Sequence, residues 1–234
     1  MEVLKKIARK LRSKVLDQSR NPALNINCTE FEVDNWLISE FIINKLVSTS
    51  GVHPYPITEL NLMAAAVCRF KPQQIFEWGT NIGKSARIFY ETGRYFNIPI
   101  QIYSIDLPDD VEHGEHPRAN RGYLVKGKAG VALHQGDGLK TAVDLYSKNP
   151  TQSTLVFIDG DHSYESVFRE LNGIIDAMPN AAILLHDTFY QSDAARYNIG
   201  PYQAILDTLK ARPDQYRQIS TTTGLPGMTL LYKS

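Results

Sequence analysis

The stretch QQIFEWGTNIGKS, residues 73–85, decides the class of fold. A short run of β-type residues, QQIFEW, covers residues 73–78, and two glycines, Gly79 and Gly83, follow before a helical pattern begins at Lys84. Glycine lets the backbone turn sharply and approach a ligand closely, and the first amides of the following helix face the same place. The order strand, glycine turn, helix therefore predicts the first unit of an α/β fold, with a ligand site at the turn.

The spacing of these glycines argues against two nucleotide-binding motifs. The phosphate loop of nucleotide hydrolases has four residues between its glycines, whereas three residues separate Gly79 from Gly83. The dinucleotide motif G-x-G-x-x-G has a glycine where this chain has Thr80-Asn81. Because that glycine makes room for a pyrophosphate, a ligand without a pyrophosphate is favoured, and a nicotinamide-dependent oxidoreductase becomes a secondary hypothesis.

Outward from this turn, strand patterns and helix patterns alternate. Further strands are predicted at residues 100–106, 131–137, 154–161 and 181–187, and helices at residues 84–96, 164–175 and 202–210. Two strand-like runs, residues 216–221 and 228–233, close the chain with no helix between them. We therefore predict an α/β fold: a Rossmann-like, doubly wound, seven-stranded sheet, mostly parallel with an antiparallel C-terminal hairpin, plus N-terminal helices.

The residues before this sheet have helical patterns. The capping-box spacing at 29–32 predicts a helix that carries Trp36 on its apolar face, and Thr58 is placed to cap a second helix that ends near Phe70. A loop at 48–56 lies between them. We therefore expect two parts: an N-terminal helical appendage and lid loop at 1–57, and a Rossmann-like domain at 58–234.

The charge is balanced overall but not along the chain. Lys and Arg total 25 and Asp and Glu total 25, yet residues 1–20 hold seven basic and two acidic residues above a helical stripe of apolar ones. This segment packs on its own domain or on a second subunit, which would give a homodimer, or else contacts a membrane surface or an anionic partner.

Composition limits the function classes. Zero net charge argues against a nucleic-acid partner, and two cysteines are too few for a disulfide scaffold and fit a reducing compartment. No apolar run approaches the roughly 18 residues of a membrane span, and the charged start lacks the apolar block of a secretory signal. We expect a soluble, cytoplasmic protein.

Acidic residues end five consecutive predicted strands. They are Glu77, Asp106, Asp137, Asp159 and Asp187. In an open parallel sheet, ligands bind outside the carboxyl ends of the strands. Any one of these residues alone would more often cap a helix or hold a turn, but together they indicate a binding site.

Over about residues 58–234, the chain resembles class I S-adenosylmethionine-dependent methyltransferases. The features that carry this resemblance are the pattern E-x-G-x-x-x-G, the acid after the second strand, the sequence Gly136-Asp137-Gly138 and the closing hairpin. The resemblance implies roles for the residues that match these motifs. Those expected to bind S-adenosylmethionine are Glu77, Gly79, Thr80, Gly83 and Ser85 around its methionine part, Asp106 at the ribose hydroxyls, Asp137 and Gly138 at the adenine, and Asp159. For Asp137, capping of the next helix is an alternative role.

The segment FIDGDHSY, residues 157–164, resembles sugar and macrolide O-methyltransferases and is similar to catechol and caffeoyl-coenzyme A O-methyltransferases. This resemblance implies that Asp159 and Asp187 bind a divalent metal, for which Mg²⁺ is suited. Those plant and catechol enzymes have asparagine after the second aspartate, where this chain has Thr188. The third ligand is therefore open between Asp161, Thr188 and water.

The predicted function is an S-adenosylmethionine-dependent O-methyltransferase, assisted by Mg²⁺, that acts on a hydroxyl of a small molecule or sugar. The predicted catalytic residues are Asp159 and a base that is either His162 or His186, because histidine titrates near neutral pH. As alternatives, His162 caps a helix and His186 is a core histidine. Two alternative functions remain: a metal-free methyltransferase acting on nitrogen or a macromolecule, and a non-catalytic cofactor-binding scaffold.

Two variable regions are expected to lie near the substrate. The polar connection at 107–130 is long enough to act as a mobile lid or substrate loop, and its residues His113, Glu115 and His116 do not have a convincing metal-binding spacing. Tyr190, Tyr197 and Tyr202 could line an aromatic or sugar-binding wall, or simply pack against the fold.

Overall fold

The computed structural model describes residues 22–23, 28, 30–112, 118–189 and 198–233. Several sequence predictions lie outside these residues. They are the basic helix at 1–20, most of the linker that follows it, the residues His113, Glu115 and His116, and the residues Tyr190 and Tyr197.

The centre of the fold is a seven-stranded sheet. Its strands are β1 (Gln74–Trp78), β2 (Gln101–Asp106), β3 (Val131–Gln135), β4 (Thr154–Ile158), β5 (Ala182–His186), β6 (Arg217–Ser220) and β7 (Met228–Tyr232), in the order β3-β2-β1-β4-β5-β7-β6. The first five strands pair in parallel, and β7 runs antiparallel to both β5 and β6. This confirms the predicted fold class.

Helices cover both faces of the sheet. They are α1 (Asn35–Phe41), a π-helical segment (Ile42–Leu46), α2 (Val47–Ser50), α3 (Ile57–Phe70), α4 (Lys84–Tyr95), α5 (Gly138–Lys148), α6 (Tyr164–Ala177) and α7 (Gly200–Ala211). Helices α1 to α4 share one hydrophobic cluster with the sheet, and helices α5 to α7 share the other. Within the described ranges, no helix combines the length and the apolar character needed to cross a membrane.

Successive side chains of β1 point to opposite faces of the sheet, and this determines which of them each side of the site contains. Ile75 belongs to the cluster on the side of α4, whereas Phe76 and Trp78 belong to the cluster on the side of α6. Successive side chains of a strand point to opposite faces, so Glu77 lies on the face of Ile75. The last two residues of β1 therefore supply a buried acid to one face and a buried indole to the other.

Helix α1 begins later than the sequence predicted. It starts at Asn35, where the Asp34 carboxylate accepts a hydrogen bond from the backbone N–H of Leu37 at 3.1 Å. The predicted start at 29–32 was wrong, because Asp34 is an equally good N-cap residue and lies closer to the buried Leu37. Trp36 is also not on the apolar face: its side chain is 85% exposed.

The part of the long connection that the structure describes after residue 117 packs against the glycine turn. The backbone N–H groups of Gly122 and Leu124 donate to the carbonyls of Asn81 and Ile82, at 2.8 and 3.0 Å. Val125 is buried in the cluster beside α4. This segment therefore holds the shape of the turn between β1 and α4.

Candidate cofactor-binding and active site

A cavity of about 400 Å³ lies outside the carboxyl ends of the parallel strands. Its lining includes Trp78, Gly79, Asn81, Asp106, Leu107, Asp137, Gly138, Asp159, Gly160, Arg169 and Glu170. Strand β1 has β2 on one side and β4 on the other, so chain order reverses here, which is where ligands bind in this class of sheet. The structure brings the ends of β1, β2, β3 and β4 together around this one space.

Glu77 is a buried acid near the end of β1, and only one of its two carboxylate oxygens is hydrogen-bonded among the described residues. Its Oε1 accepts a 2.6 Å hydrogen bond from Ser104, whose oxygen in turn lies 2.7 Å from the hydroxyl of Thr80. Its Oε2 is buried and has no hydrogen-bond partner among the described residues; Ser85 lies near this carboxyl without completing one. Burial raises the pKa of Glu77 to about 7, against the opposing hydrogen bond from Ser104. Such an acid is suited to a cationic ligand group, which would satisfy the free oxygen.

Asp106 ends β2 and is held by the glycine turn and by a basic residue. The backbone N–H groups of Asn81 and Leu107 donate to its two oxygens, at 3.2 and 2.8 Å. The Nε of Arg121 lies 3.4 Å from Asp106 Oδ2, and its Nη1 lies 2.6 Å from Asp109. Arg121 thus ties the predicted ribose-binding acid to the long connection, a contact that sequence analysis did not identify.

Asp137 occupies the N-cap of α5. Its Oδ1 accepts from the backbone N–H of Lys140 at 2.8 Å, and its Oδ2 accepts from Arg169 at 3.0 Å. The alternative role, helix capping, is therefore present in the structure, and any bond to an adenine amino group would use the remaining lone pairs. Packing also explains why position 138 is a glycine, because a Cβ at Gly138 would lie 2.4 Å from the indole of Trp78.

The indole of Trp78 is fixed by a second buried acid. Its Nε1 donates to Glu170 Oε2 at 2.9 Å, and both side chains line the cavity. Burial raises the pKa of Glu170 to about 7, against the opposing hydrogen bond from Trp78. Glu170 was not predicted, although its position between Val167 and Ile174 on one face of α6 marks it as a buried acid.

We expect Glu170→Gln to make stability less dependent on pH. A folded-state pKa near 7 lies above the value near 4.3 of an unfolded glutamate, so the folded wild type holds an extra proton between these values and loses stability as pH rises through them. Glutamine still accepts from Trp78 but does not titrate. The variant should therefore gain roughly 3 kcal/mol relative to wild type between pH 4 and pH 8, the order set by about 1.4 kcal/mol per pKa unit.

Urea unfolding at both pH values measures this difference. The chain has two tryptophans, of which Trp78 is 4% exposed and Trp36 is 85% exposed. The change in fluorescence on unfolding therefore comes mainly from Trp78. A stability difference that stays constant from pH 4 to pH 8 would show that Glu170 does not carry the extra proton.

Asp159, just after β4, is the centre of a hydrogen-bonded cluster. Tyr55 donates from its hydroxyl to Oδ2 at 2.5 Å, and the Nδ1 of His186 lies 2.9 Å from Oδ1. The Nε2 of His162 lies 3.6 Å from Oδ1. Burial opposes ionisation of Asp159, but the charge of His186 and the hydrogen bonds from His162, His186 and Tyr55 outweigh it and hold its pKa well below its usual range. Asp159 is therefore a fixed negative charge.

Tyr55 comes from the loop before α3 and is 4% exposed. Burial, the charge of Asp159 and the hydrogen bond to Asp159 raise the pKa of Tyr55 well above its ordinary value. The hydroxyl therefore keeps its proton and acts as a donor to Asp159. Tyr55 thus reaches Asp159 from the loop at 48–56.

The two histidines lie in different environments. Both nitrogens of His186 face carboxylates, Nδ1 at Asp159 and Nε2 at Glu59 Oε2, 3.1 Å away. Burial alone would lower the pKa of His186, but the charge of Asp159 and the hydrogen bonds to Asp159 and Glu59 raise it to about 10. His162 is a quarter exposed, and its Nε2 lies 3.0 Å from Asp187 Oδ2. His162 does not cap the next helix: the N-cap of α6 is Ser163.

Three side chains are placed to share a cation. One ligand atom from each of Asp159, His186 and Asp187 lies within 4.8 Å of the others. Of the third ligands considered from the sequence, Thr188 has its hydroxyl 2.8 Å from that of Thr229. Asp161 accepts from the backbone N–H and the hydroxyl of Ser163. The structure thus places His186, which the sequence did not suggest as a ligand, beside the aspartate pair.

Comparison with known proteins fits this geometry. Residues 76–188, from within β1 to just after β5, match the Methyltransf_24 family model, described as a methyltransferase domain. Residues 76–188 are therefore a methyltransferase domain. No curated protein sequence matches the chain.

Solved structures share the methyltransferase fold at low sequence identity. The SAH-bound methyltransferase PaMTH1 of Podospora anserina is 18% identical with a TM-score of 0.56, over 86% of this chain and 87% of that chain. An O-methyltransferase of Bacillus cereus in complex with SAH is 15% identical with a TM-score of 0.55, over 84% and 90%. CalS11, a TDP-rhamnose 3′-O-methyltransferase of calicheamicin biosynthesis, is 20% identical with a TM-score of 0.51, over 83% and 86%. These likenesses support the fold assignment.

Proposed function

We propose that this methyltransferase transfers a methyl group from S-adenosylmethionine to a hydroxyl of a small molecule or sugar, with a divalent cation, Mg²⁺, held by Asp159 and Asp187. The observation that carries the proposal is the meeting of these two aspartates and His186 beside the cofactor-sized cavity. The B. cereus enzyme and CalS11 are both O-methyltransferases, which supports transfer to oxygen. The sugar substrate of CalS11 supports the sugar alternative.

The residues at the cavity fit S-adenosylmethionine. Glu77 directly precedes the cavity-lining Trp78 and Gly79, and its unpartnered Oε2 suits the cationic amino group of the cofactor's methionine part. Asp106 suits vicinal ribose hydroxyls, since a carboxylate accepts from both. The indole of Trp78 and the side chain of Leu107 give an apolar lining at the adenine end. The donor set of the cation site, two carboxylates and an imidazole, likewise fits a divalent cation.

When bound, the cofactor supplies an electrophilic methyl carbon, and the cation supplies the Lewis acidity that lowers the pKa of a hydroxyl. The chain's own residues orient and deprotonate the acceptor. An open groove of about 510 Å³ adjoins the cavity and is lined by His162, Tyr164 and Asn198 among others. A hydroxyl in this groove lies next to His162, which we assign as the base that takes its proton. His186 is less suited, because carboxylates hold both of its nitrogens.

We expect Asp106→Asn to weaken S-adenosylmethionine binding by about 10- to 100-fold, because an amide accepts through one oxygen and places an NH₂ group against the ribose. Calorimetric titration of the cofactor into wild type and variant, each with Mg²⁺ and then with chelator, measures this change. Asp109→Asn is the matched control, since it also removes a partner of Arg121 but leaves the strand-end acid in place.

Each result of this titration has a defined meaning. Binding by wild type that is reduced only in Asp106→Asn supports the cofactor assignment. Equal weakening in both variants would mean that Arg121, rather than Asp106, governs the site. Methyl transfer to a hydroxylated acceptor that persists in chelator would overturn the role of the cation and favour a metal-free methyltransferase, and cofactor binding without transfer would favour a non-catalytic scaffold.

A further inference from the structure

Glu59 is a charged residue in an otherwise apolar part of α3. It is 1% exposed, and its neighbours along the same helix face, Leu62, Met63 and Ala66, are buried. A carboxylate without partners in such a place would be strongly destabilising. Both of its oxygens are occupied: Oε1 accepts from the backbone N–H of Gly227 at 2.8 Å, and Oε2 lies 3.1 Å from His186 Nε2.

The contact with Glu59 fixes a proton on Nε2 of His186, whereas a proton on Nδ1 is shared with Asp159. A carboxylate only accepts hydrogen bonds, so the proton in the contact with Glu59 belongs to Nε2. The other nitrogen, Nδ1, lies 2.9 Å from Asp159 Oδ1 and 3.9 Å from Asp187 Oδ2. Nδ1 therefore faces the position between the two aspartates, and in a neutral ring it would present a lone pair there.

We propose that Glu59 is a positioning residue that holds His186 as the Nε2–H tautomer, so that Nδ1 becomes the third protein ligand of the cation beside Asp159 and Asp187. The proposal rests on the cation site of the proposed function. A carboxylate behind a histidine ligand orients the ring and increases its basicity. With a cation bound, Nδ1 would have released to solvent the proton that it otherwise shares with Asp159.

An imidazole ligand changes which cation the site prefers. Two carboxylates alone are the donors that Mg²⁺ favours, whereas an imidazole nitrogen suits transition-metal ions better than Mg²⁺. Wild type should therefore bind Mn²⁺ about tenfold or more tightly than Mg²⁺. This comparison needs no variant.

Glu59→Gln tests the tautomer directly. The amide oxygen of glutamine would stay on the Gly227 N–H, which is a fixed donor, and its NH₂ group would then face His186 Nε2. The ring can satisfy that donor only by moving its proton to Nδ1, where it points at Asp159 and blocks the ligand position. We expect E59Q to bind Mn²⁺ about 10- to 100-fold more weakly, the range found when such supporting carboxylates are changed, and to lose most of its preference for Mn²⁺.

The experiment is calorimetric titration of Mn²⁺ and Mg²⁺ into metal-free wild type, E59Q and Asn61→Ala, with ¹⁵N NMR of the His186 ring in the Mg²⁺-saturated proteins. Asn61 lies on the same helix and is bonded to Asn35 at an exposed position, so its variant controls for disturbance of α3. The expected NMR result is an Nε2–H ring in wild type and an Nδ1–H ring in E59Q. Thermal melting of all three proteins checks that they are folded.

The outcomes distinguish failure of the cation site from failure of the role assigned to Glu59. If wild type binds S-adenosylmethionine but neither cation, the cation site of the proposed function fails, and this inference fails with it. If wild type binds cations without preference for Mn²⁺, or if E59Q binds Mn²⁺ as tightly as wild type, the role of Glu59 is overturned while the cation site stands. If N61A loses Mn²⁺ affinity as E59Q does, the effect belongs to the helix rather than to the tautomer, which also overturns the inference.

Discussion

Asp159→Asn is expected to lower the rate of methyl transfer on the order of 10³-fold while the protein still folds. Asp159 is the residue on which Tyr55, His162 and His186 converge, and its pKa, held well below the usual range, makes it a permanent negative charge in the site. Asparagine has the same shape but removes that charge and turns an NH₂ group toward donors that Asp159 now accepts from. Loss of a fixed charge in a site of low polarity costs far more than the same loss in water.

Single-turnover assays at saturating cofactor measure the effect on the chemical step. Asp144→Asn is the matched control: Asp144 is an exposed carboxylate on α5, outside the residues that line the cavity. We expect that variant to react at the rate of wild type. Transfer by Asp159→Asn at more than a tenth of the wild-type rate, with the melting temperature unchanged, would show that the reaction does not depend on the Asp159 charge and would contradict the assignment of this cluster as the active site.

The carboxyl edge of the sheet could be predicted from the sequence because the relevant signals are local. Each strand is a short apolar run, and each acid lies within two residues of its end, as Asp106 and Asp159 do. Parallel pairing then brings these ends to one edge without any further information. The antiparallel closing hairpin follows from the absence of a helix between residues 220 and 228.

The supporting contacts could not be predicted, because they join residues that are distant in the sequence. Glu59 and His186 are 127 residues apart, and Trp78 and Glu170 are 92 residues apart. Helical periodicity could have identified both glutamates as buried acids, but not their partners. The start of α1 was missed for the opposite reason: the capping signals at 29–32 and Asp34 lie close together, and burial of Leu37 decides between them.

The segment before the sheet contributes directly to the site. Tyr55 and Glu59, from the loop and helix that precede β1, contact Asp159 and His186, which follow β4 and end β5. Helix α3 packs in the same hydrophobic cluster as α4 and the sheet. The residues that we expected to form a lid therefore include one that donates a hydrogen bond to the proposed catalytic aspartate.

Gly79→Ala is expected to be the most destabilising of the substitutions proposed for this fold, by about 4 kcal/mol or more, because two costs combine at this glycine. Its φ of +88° lies in the left-handed region, which costs an alanine about 1–2 kcal/mol. In addition, a Cβ at this position would lie 1.9 Å from the carbonyl oxygen of Asp159 and 2.7 Å from its carbonyl carbon. These are backbone atoms, so the clash is relieved only if the ends of β1 and β4 separate.

Gly127→Ala isolates the first of these costs. Gly127 has a φ of +77°, yet a Cβ there would meet no atom within 4 Å, so we expect a loss of about 1 kcal/mol from the backbone conformation alone. Urea unfolding of wild type and both variants, followed by tryptophan fluorescence, gives the two differences. Equal destabilisation by the two alanines would contradict the close approach of β1 and β4 at Gly79. A much larger loss in Gly79→Ala, accompanied by loss of cofactor binding, would show that this glycine serves the contact between strands that places Asp159, in addition to leaving room for a ligand.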